Sequence, residues 1–138
     1  MKKNSILLYS CFLLSMPLMA QQNHASDSKA QNKALRDSLA AATNVLAYHP
    51  DSIDLRLKKA AWNIQLEQRA YAKDDLDKVL FLNNTNIAGL FYRAFVNEKM
   101  KRYNFARLDY QNLLVLVPGN FQAQLGLALL NEKDKHYT

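Results

Sequence analysis

Laid over itself at an offset of 34 residues, this chain repeats its own pattern of side chains along most of its second half. Ile53 falls on Ile87, Leu57 on Phe91 and Leu125, Ala60 on Ala94 and Ala128, and Leu66 on Met100. A second set of columns holds Ser38, Ala72 and Ala106, then Leu46, Leu80 and Leu114, then Pro50, Asn84 and Pro118. Within each period the apolar residues recur at three-to-four spacing, which marks one face of a helix. A period of this size predicts a stack of helical hairpins, each able to bury its apolar face only against its neighbours. Composition agrees, since 49% apolar and 22% charged residues suit a folded domain and three glycines with three prolines are too few for a loop-rich β fold. The fold class expected is all-α, with about five helices in one domain of this 138-residue chain.

The first residues obey a different rule. Met1, Lys2 and Lys3 make a positive start, Ile6 to Met19 is almost wholly apolar, and Leu18-Met19-Ala20 ends in a small residue before Gln21. This reads as a secretory signal peptide over residues 1–20, cut after about Ala20, and places the protein in the periplasm or outside the cell. An apolar run of about fourteen residues containing Pro17 falls short of the ~20 that a bilayer requires, so no membrane span is expected in the mature chain. Leu8-Tyr9-Ser10-Cys11 loosely resembles a lipoprotein processing site, but Tyr9 is bulky where a small residue is needed and lipid anchoring at Cys11 is the weaker reading. Loss of Cys11 with the signal leaves no cysteine, and the domain must then rest on helix packing without a disulfide. Without Lys2 and Lys3 the balance is 16 basic against 12 acidic residues, a net +4 in place of +6. Lys99, Lys101, Arg102 and Arg107 cluster at a helix turn without a groove-reading motif, so no nucleic-acid partner is expected.

Residues 21–28 read as a flexible leader. A leading helix spans 29–50, with Leu35, Leu39, Ala42, Val45 and Leu46 on one face, and stops near Tyr48 because Pro50 disfavours helical dihedrals at His49. One complete repeat covers 53–86 and opens with Asp51 or Ser52 as N-cap and Asp54 in the first turn. Another covers 87–120, with Lys101-Arg102-Tyr103 as its turn and Ala106, Tyr110, Leu113 and Leu114 facing inward. A trailing helix occupies 121–133, and 134–138 is a polar tail. In the 34-residue register the leading helix fills a second-helix slot and the trailing helix a first-helix slot.

These residues resemble the tetratricopeptide repeat, a 34-residue helix-turn-helix unit. The small residue within its first helix is matched by Ala60, Ala94 and Ala128, the small residue opening its second helix by Ala72 and Ala106 with Ser38, the turn aromatic by Tyr103, and the boundary proline by Pro50 and Pro118. Arg56 and Leu90 depart from the aromatic usual early in the first helix, and Asn84 replaces a boundary proline. The resemblance implies a right-handed superhelical stack of antiparallel hairpins whose first helices line a concave groove that holds a peptide or helix. By register that wall comprises Leu57, Ala61 and Ile64, then Phe91, Phe95 and Glu98, then Leu125, Leu129 and Glu132, apolar with an acidic rim. Lysine and asparagine pairs, which clamp a terminal carboxylate in chaperone-binding members, are missing from it.

No catalytic constellation is legible. His24, His49 and His136 stand at unrelated places, no glycine-rich phosphate loop occurs, and no cofactor or metal is expected. Asp74, Asp75 and Asp77 read as solvated carboxylates on the outer side of a helix. The function expected is a non-enzymatic module that binds an unidentified protein or peptide, with Phe91 and Phe95 as anchors. Two alternatives stay open: the wall residues are packed by the chain itself, or the protein assembles with itself through its helical ends, whose apolar faces have no polar cap.

Overall fold

A computed structural model describes residues 10–135, with side chains described over 25–133, and contains six helices where about five were expected. They are α1 (Ser10–Tyr48), α2 (Ile53–Gln65), α3 (Arg69–Leu82), α4 (Ile87–Lys99), α5 (Tyr103–Leu116) and α6 (Phe121–Lys135). No strand occurs among the described residues. The chain divides into two compact units, 1–37 and 38–138. In the first, residues 21–28 are helical and not the irregular leader expected, for a physical reason: no glycine or proline interrupts the sequence between Leu18 and His49. The start of the proposed signal, residues 1–9, and the last residues of the tail, 136–138, lie outside the described residues.

The second unit is built from two copies of one hairpin, α2 with α3 and α4 with α5. Both turns have the same chemistry 34 residues apart: Gln68 N–H donates to the Asn63 carbonyl at 2.8 Å, and Arg102 N–H donates to the Asn97 carbonyl at 2.8 Å. Each turn bends through one left-handed residue, Glu67 at φ 57° and Lys101 at φ 59°, a conformation that crowds any Cβ. Helix starts are less uniform. Asn86 accepts from Gly89 N–H at 2.7 Å and Asn120 from Ala123 N–H at 2.9 Å, whereas Ser52, in the same column, is the N-cap of α2 without a side-chain bond.

Paired helices come together over small residues. Ala60 and Ala72 share one buried cluster with Leu76 and Val96, and Ala94 and Ala106 share another with Leu90, Tyr110, Leu113 and Leu130. All four alanines are 0% exposed, so a larger side chain at any of them would have to push two helices apart. Between hairpins, Tyr110 lies on Gly126, where an added Cβ would come within 2.5 Å of the phenol ring. The Tyr110 hydroxyl donates to Glu98 at 3.4 Å. Burial first, and the Glu98 charge second, push its pKa well above the usual phenol range, so it stays a donor.

Charge also crosses each hairpin. Asp109 is 2% exposed and accepts from Arg93 Nη2 at 2.8 Å and Nε at 2.9 Å, while Arg93 Nη1 reaches Asp77 at 3.0 Å. Asp75 is likewise buried, with Arg56 at 2.8 Å and Lys59 at 3.1 Å. The expected solvated cluster is therefore corrected: only Asp74 is exposed, Asp75 lies between the helices of its hairpin, and Asp77 ties α3 to α4. Arg56 takes the place of an aromatic by making this bond and donating to the Pro50 carbonyl at 2.8 Å.

Removing either partner of the second hairpin's ion pair should have unequal effects. Arg93→Ala strands a buried carboxylate and is expected to cost about 3 kcal/mol, whereas Asp109→Ala leaves Arg93 its bond to Asp77 and is expected to cost about 2 kcal/mol or less. Urea unfolding of the two variants reads the difference. Lys101→Gly should act in the opposite direction, raising stability by about 1 kcal/mol through relief of the left-handed backbone in the turn.

Candidate protein-binding face

The residues expected to form the wall lie on α2, α4 and α6. Here α2 approaches α4, while no comparable approach joins α3 to α5. Leu57, Ala61 and Ile64 on α2 and Phe91, Phe95 and Glu98 on α4 are all half-buried. Leu57, Ile64 and Phe95 pack against the first cluster and Phe91 against the second. Leu125 and Leu129 on α6 are 46% and 47% exposed. The wall thus passes from residues that belong partly to the core to residues that face solvent.

Its rim differs from expectation. Glu98 is held by Lys133 at 2.9 Å and by the Tyr110 hydroxyl, which neutralises the carboxylate that was to make the rim acidic. Glu132 is exposed. A hollow of about 200 Å³ opens at one end of the wall, floored by Ile64, Phe95 and Val96 and edged by Arg69, Lys99 and Glu67. Lys99 Nζ sits 5.2 Å from the centre of the Phe95 ring, a cation–π contact that covers part of the aromatic face. The local charge is therefore mixed and leans basic.

A further apolar stripe is not among the residues that the inward-facing pattern singles out. Phe105, Leu108 and Val115 on α5 are 56%, 54% and 80% exposed, with Phe81 of α3 at 81%. Two of the four are partly shielded by cations, Lys78 over Phe81 at 5.3 Å and Arg102 over Phe105 at 4.6 Å. Their spacing at i, i+3 and i+10 was the available signal for a second helix face. Among the described residues no group of three or more His, Cys, Asp or Glu could hold a metal, and no helix is long and apolar enough to cross a membrane.

Solved structures share this arrangement of hairpins. The TPR domain of Arabidopsis OM64 superposes with a TM-score of 0.68 at 20% identity, covering 78% of this chain and 88% of that one. A tetratricopeptide repeat protein from Parabacteroides merdae gives 0.72 at 22% identity, over 78% of this chain and 42% of that one. The fold is tetratricopeptide-repeat-like. Among curated proteins, sperm-associated antigen 1 of Homo sapiens is 27% identical over 108 residues, covering 75% of this chain and 12% of that protein. The peptidyl-prolyl cis-trans isomerase FKBP4 of Mus musculus is 29% identical over 79 residues, covering 57% of this chain and 17% of that protein. The chain thus spans less than a fifth of the length of these curated relatives. No family profile matches it.

Exposure along the TPR-like wall predicts which residues belong to the core. Leu129→Asp should change stability by less than about 0.5 kcal/mol, while Phe95→Asp should cost about 2 kcal/mol or more because its ring packs against the buried cluster of Ala60, Ala72, Leu76 and Val96. Urea melts of both variants check it.

Proposed function

We propose that this protein is an exported, non-enzymatic TPR-like interaction module that takes an apolar or amphipathic segment of a partner protein along its inner wall. The observation that carries this reading is the set of partly or fully exposed apolar residues that recurs on successive first helices, Leu57, Ala61 and Ile64, then Phe91 and Phe95, then the half-exposed Leu125 and Leu129, with Glu98 in the same set. Such a surface suits a helix or extended segment that contributes its own apolar side chains. In this reading the stack is a right-handed superhelix and the wall its concave side.

Neighbours in structure support the mode of binding. The first TPR of Spaghetti (RPAP3) was solved bound to the HSP90 peptide SRMEEVD, with a TM-score of 0.67 at 21% identity over 72% of this chain. The second TPR domain of human RPAP3 was solved with the HSP70 peptide SGPTIEEVD. Both peptides carry adjacent glutamates and an aspartate at the end. The inner wall here has leucine, alanine and phenylalanine where an acidic segment would need cations, so a different, apolar class of segment fits it better.

Site-directed crosslinking tests the wall. A photoreactive side chain at Ala61 or Leu129 should capture the partner in intact cells, and one at Asn112 on the far side should not; equal capture at all three would contradict the reading. Export is tested separately by N-terminal sequencing of the accumulated protein, which should begin at about Gln21, and a chain that retains Met1 would contradict it.

A further inference from the structure

The structure assigns the open ends of the second unit to each other: α6 of one copy and residues 38–48 of α1 in a second copy together complete one helical hairpin, so that the protein associates head to tail. The observations are differences within columns that are otherwise equivalent. Ala60 and Ala94 are 0% exposed because each faces the second helix of its own hairpin, while Ala128, in the same column, is exposed. Its buried neighbours Ala123, Gly126 and Leu130 show that α6 has packed only its side toward α5.

Residues 38–48 are the mirror case. Ala42 and Leu46 are 4% and 7% exposed, matching Leu76 and Leu80 in the columns that close against the following helix. Val45, in the column of Val79 and Leu113 at 0%, is 48% exposed. Ala41, in the column of the buried Asp75 and Asp109, is exposed, and Ser38, in the column of Ala72 and Ala106, is half-exposed. Among the described residues, therefore, nothing covers the Ala128 face of α6 or the face of residues 38–48 that carries Ala41 and Val45.

The residues at the two ends fit each other and not merely any helix. In both internal hairpins a cation of the first helix, Lys59 or Arg93, meets an aspartate of the second, Asp75 or Asp109. In the composite hairpin both members of that pair change together, to Leu127 and Ala41. An apolar residue is matched with an apolar one, and neither end would strand a buried charge. The requirement for close approach is also kept on both sides, by Ala128 and by Ser38, just as by Ala94 and Ala106 inside the unit. Such an interface is heterologous, since each copy uses a different surface, and one contact leaves both outer ends open to another copy.

The test uses sedimentation equilibrium of the full chain and of two arginine variants at positions that are exposed in the single copy. Wild-type mass should rise with concentration beyond that of a dimer. Ala128→Arg alone and Ala41→Arg alone should each weaken association by about tenfold or more. Mixed in equal amounts, they should form a species that stops at the dimer, because one variant keeps an intact α6 and the other an intact α1. Helicity by circular dichroism should match wild type, and Val45→Lys serves as a second variant of the leading end if Ala41→Arg fails to fold. A wild-type protein that stays monomeric, association undiminished in both variants, or a mixture that forms no dimer would overturn the assignment. Those results would leave the inner-wall reading intact, since crosslinking at Ala61 on α2, which belongs to neither of these faces, tests that wall separately.

Discussion

The close approach of paired helices over alanine is the constraint on which the rest of this structure depends. Ala60 with Ala72, and Ala94 with Ala106, let each hairpin close tightly enough that Leu76, Val79 and Leu113 are wholly withdrawn from water. Deep burial of a Leu or Val side chain contributes about 1.5–3 kcal/mol, so these contacts outweigh anything the exposed ion pairs supply. Closure also brings Arg93 within bonding distance of Asp109, and Lys59 and Arg56 within reach of Asp75. Packing and charge are thus parts of one device, repeated once along the chain.

From that device the inner wall follows. A hairpin closed on its small residues must turn its larger ones elsewhere, and Leu57, Phe91 and Leu125 stand in one column of the repeat, half-buried on α2 and α4 and exposed on α6. On α2 and α4 the wall is shared with the core, and on α6 it is open. Phe91 and Phe95 are thus anchored in the core clusters, whereas Leu125 and Leu129 face solvent. The exposed stripe of Phe105, Leu108 and Val115 lies apart from this wall, on the second helix of its hairpin.

Much of this was legible in the sequence because a repeat reports its own spacing: the alanine columns, the hairpin boundaries and the half-repeats at both ends can be read by counting. Charge pairing was legible in principle too, since Lys59 and Arg93, like Asp75 and Asp109, stand 34 residues apart. It was obscured by the prior that aspartates on a helix face solvent, which holds for Asp74 and fails for Asp75. The fate of Glu98 was harder to foresee, because its partner Lys133 comes from a helix two places further along and reaches it only once the stack has formed. Residues 21–28 show the opposite limit: a polar stretch without periodicity can be helical where nothing breaks the helix.

One column separates closed hairpins from an open one, and leucine substitution along it measures the difference. Ala60→Leu and Ala94→Leu should each lower unfolding free energy by about 2–3 kcal/mol through overpacking, whereas Ala128→Leu should leave a single copy within about 0.5 kcal/mol of wild type. Urea denaturation at a concentration low enough to keep the protein monomeric gives all three values. Equal losses at the three positions, or none at Ala60 and Ala94, would contradict the claim that closure over small residues holds this fold together.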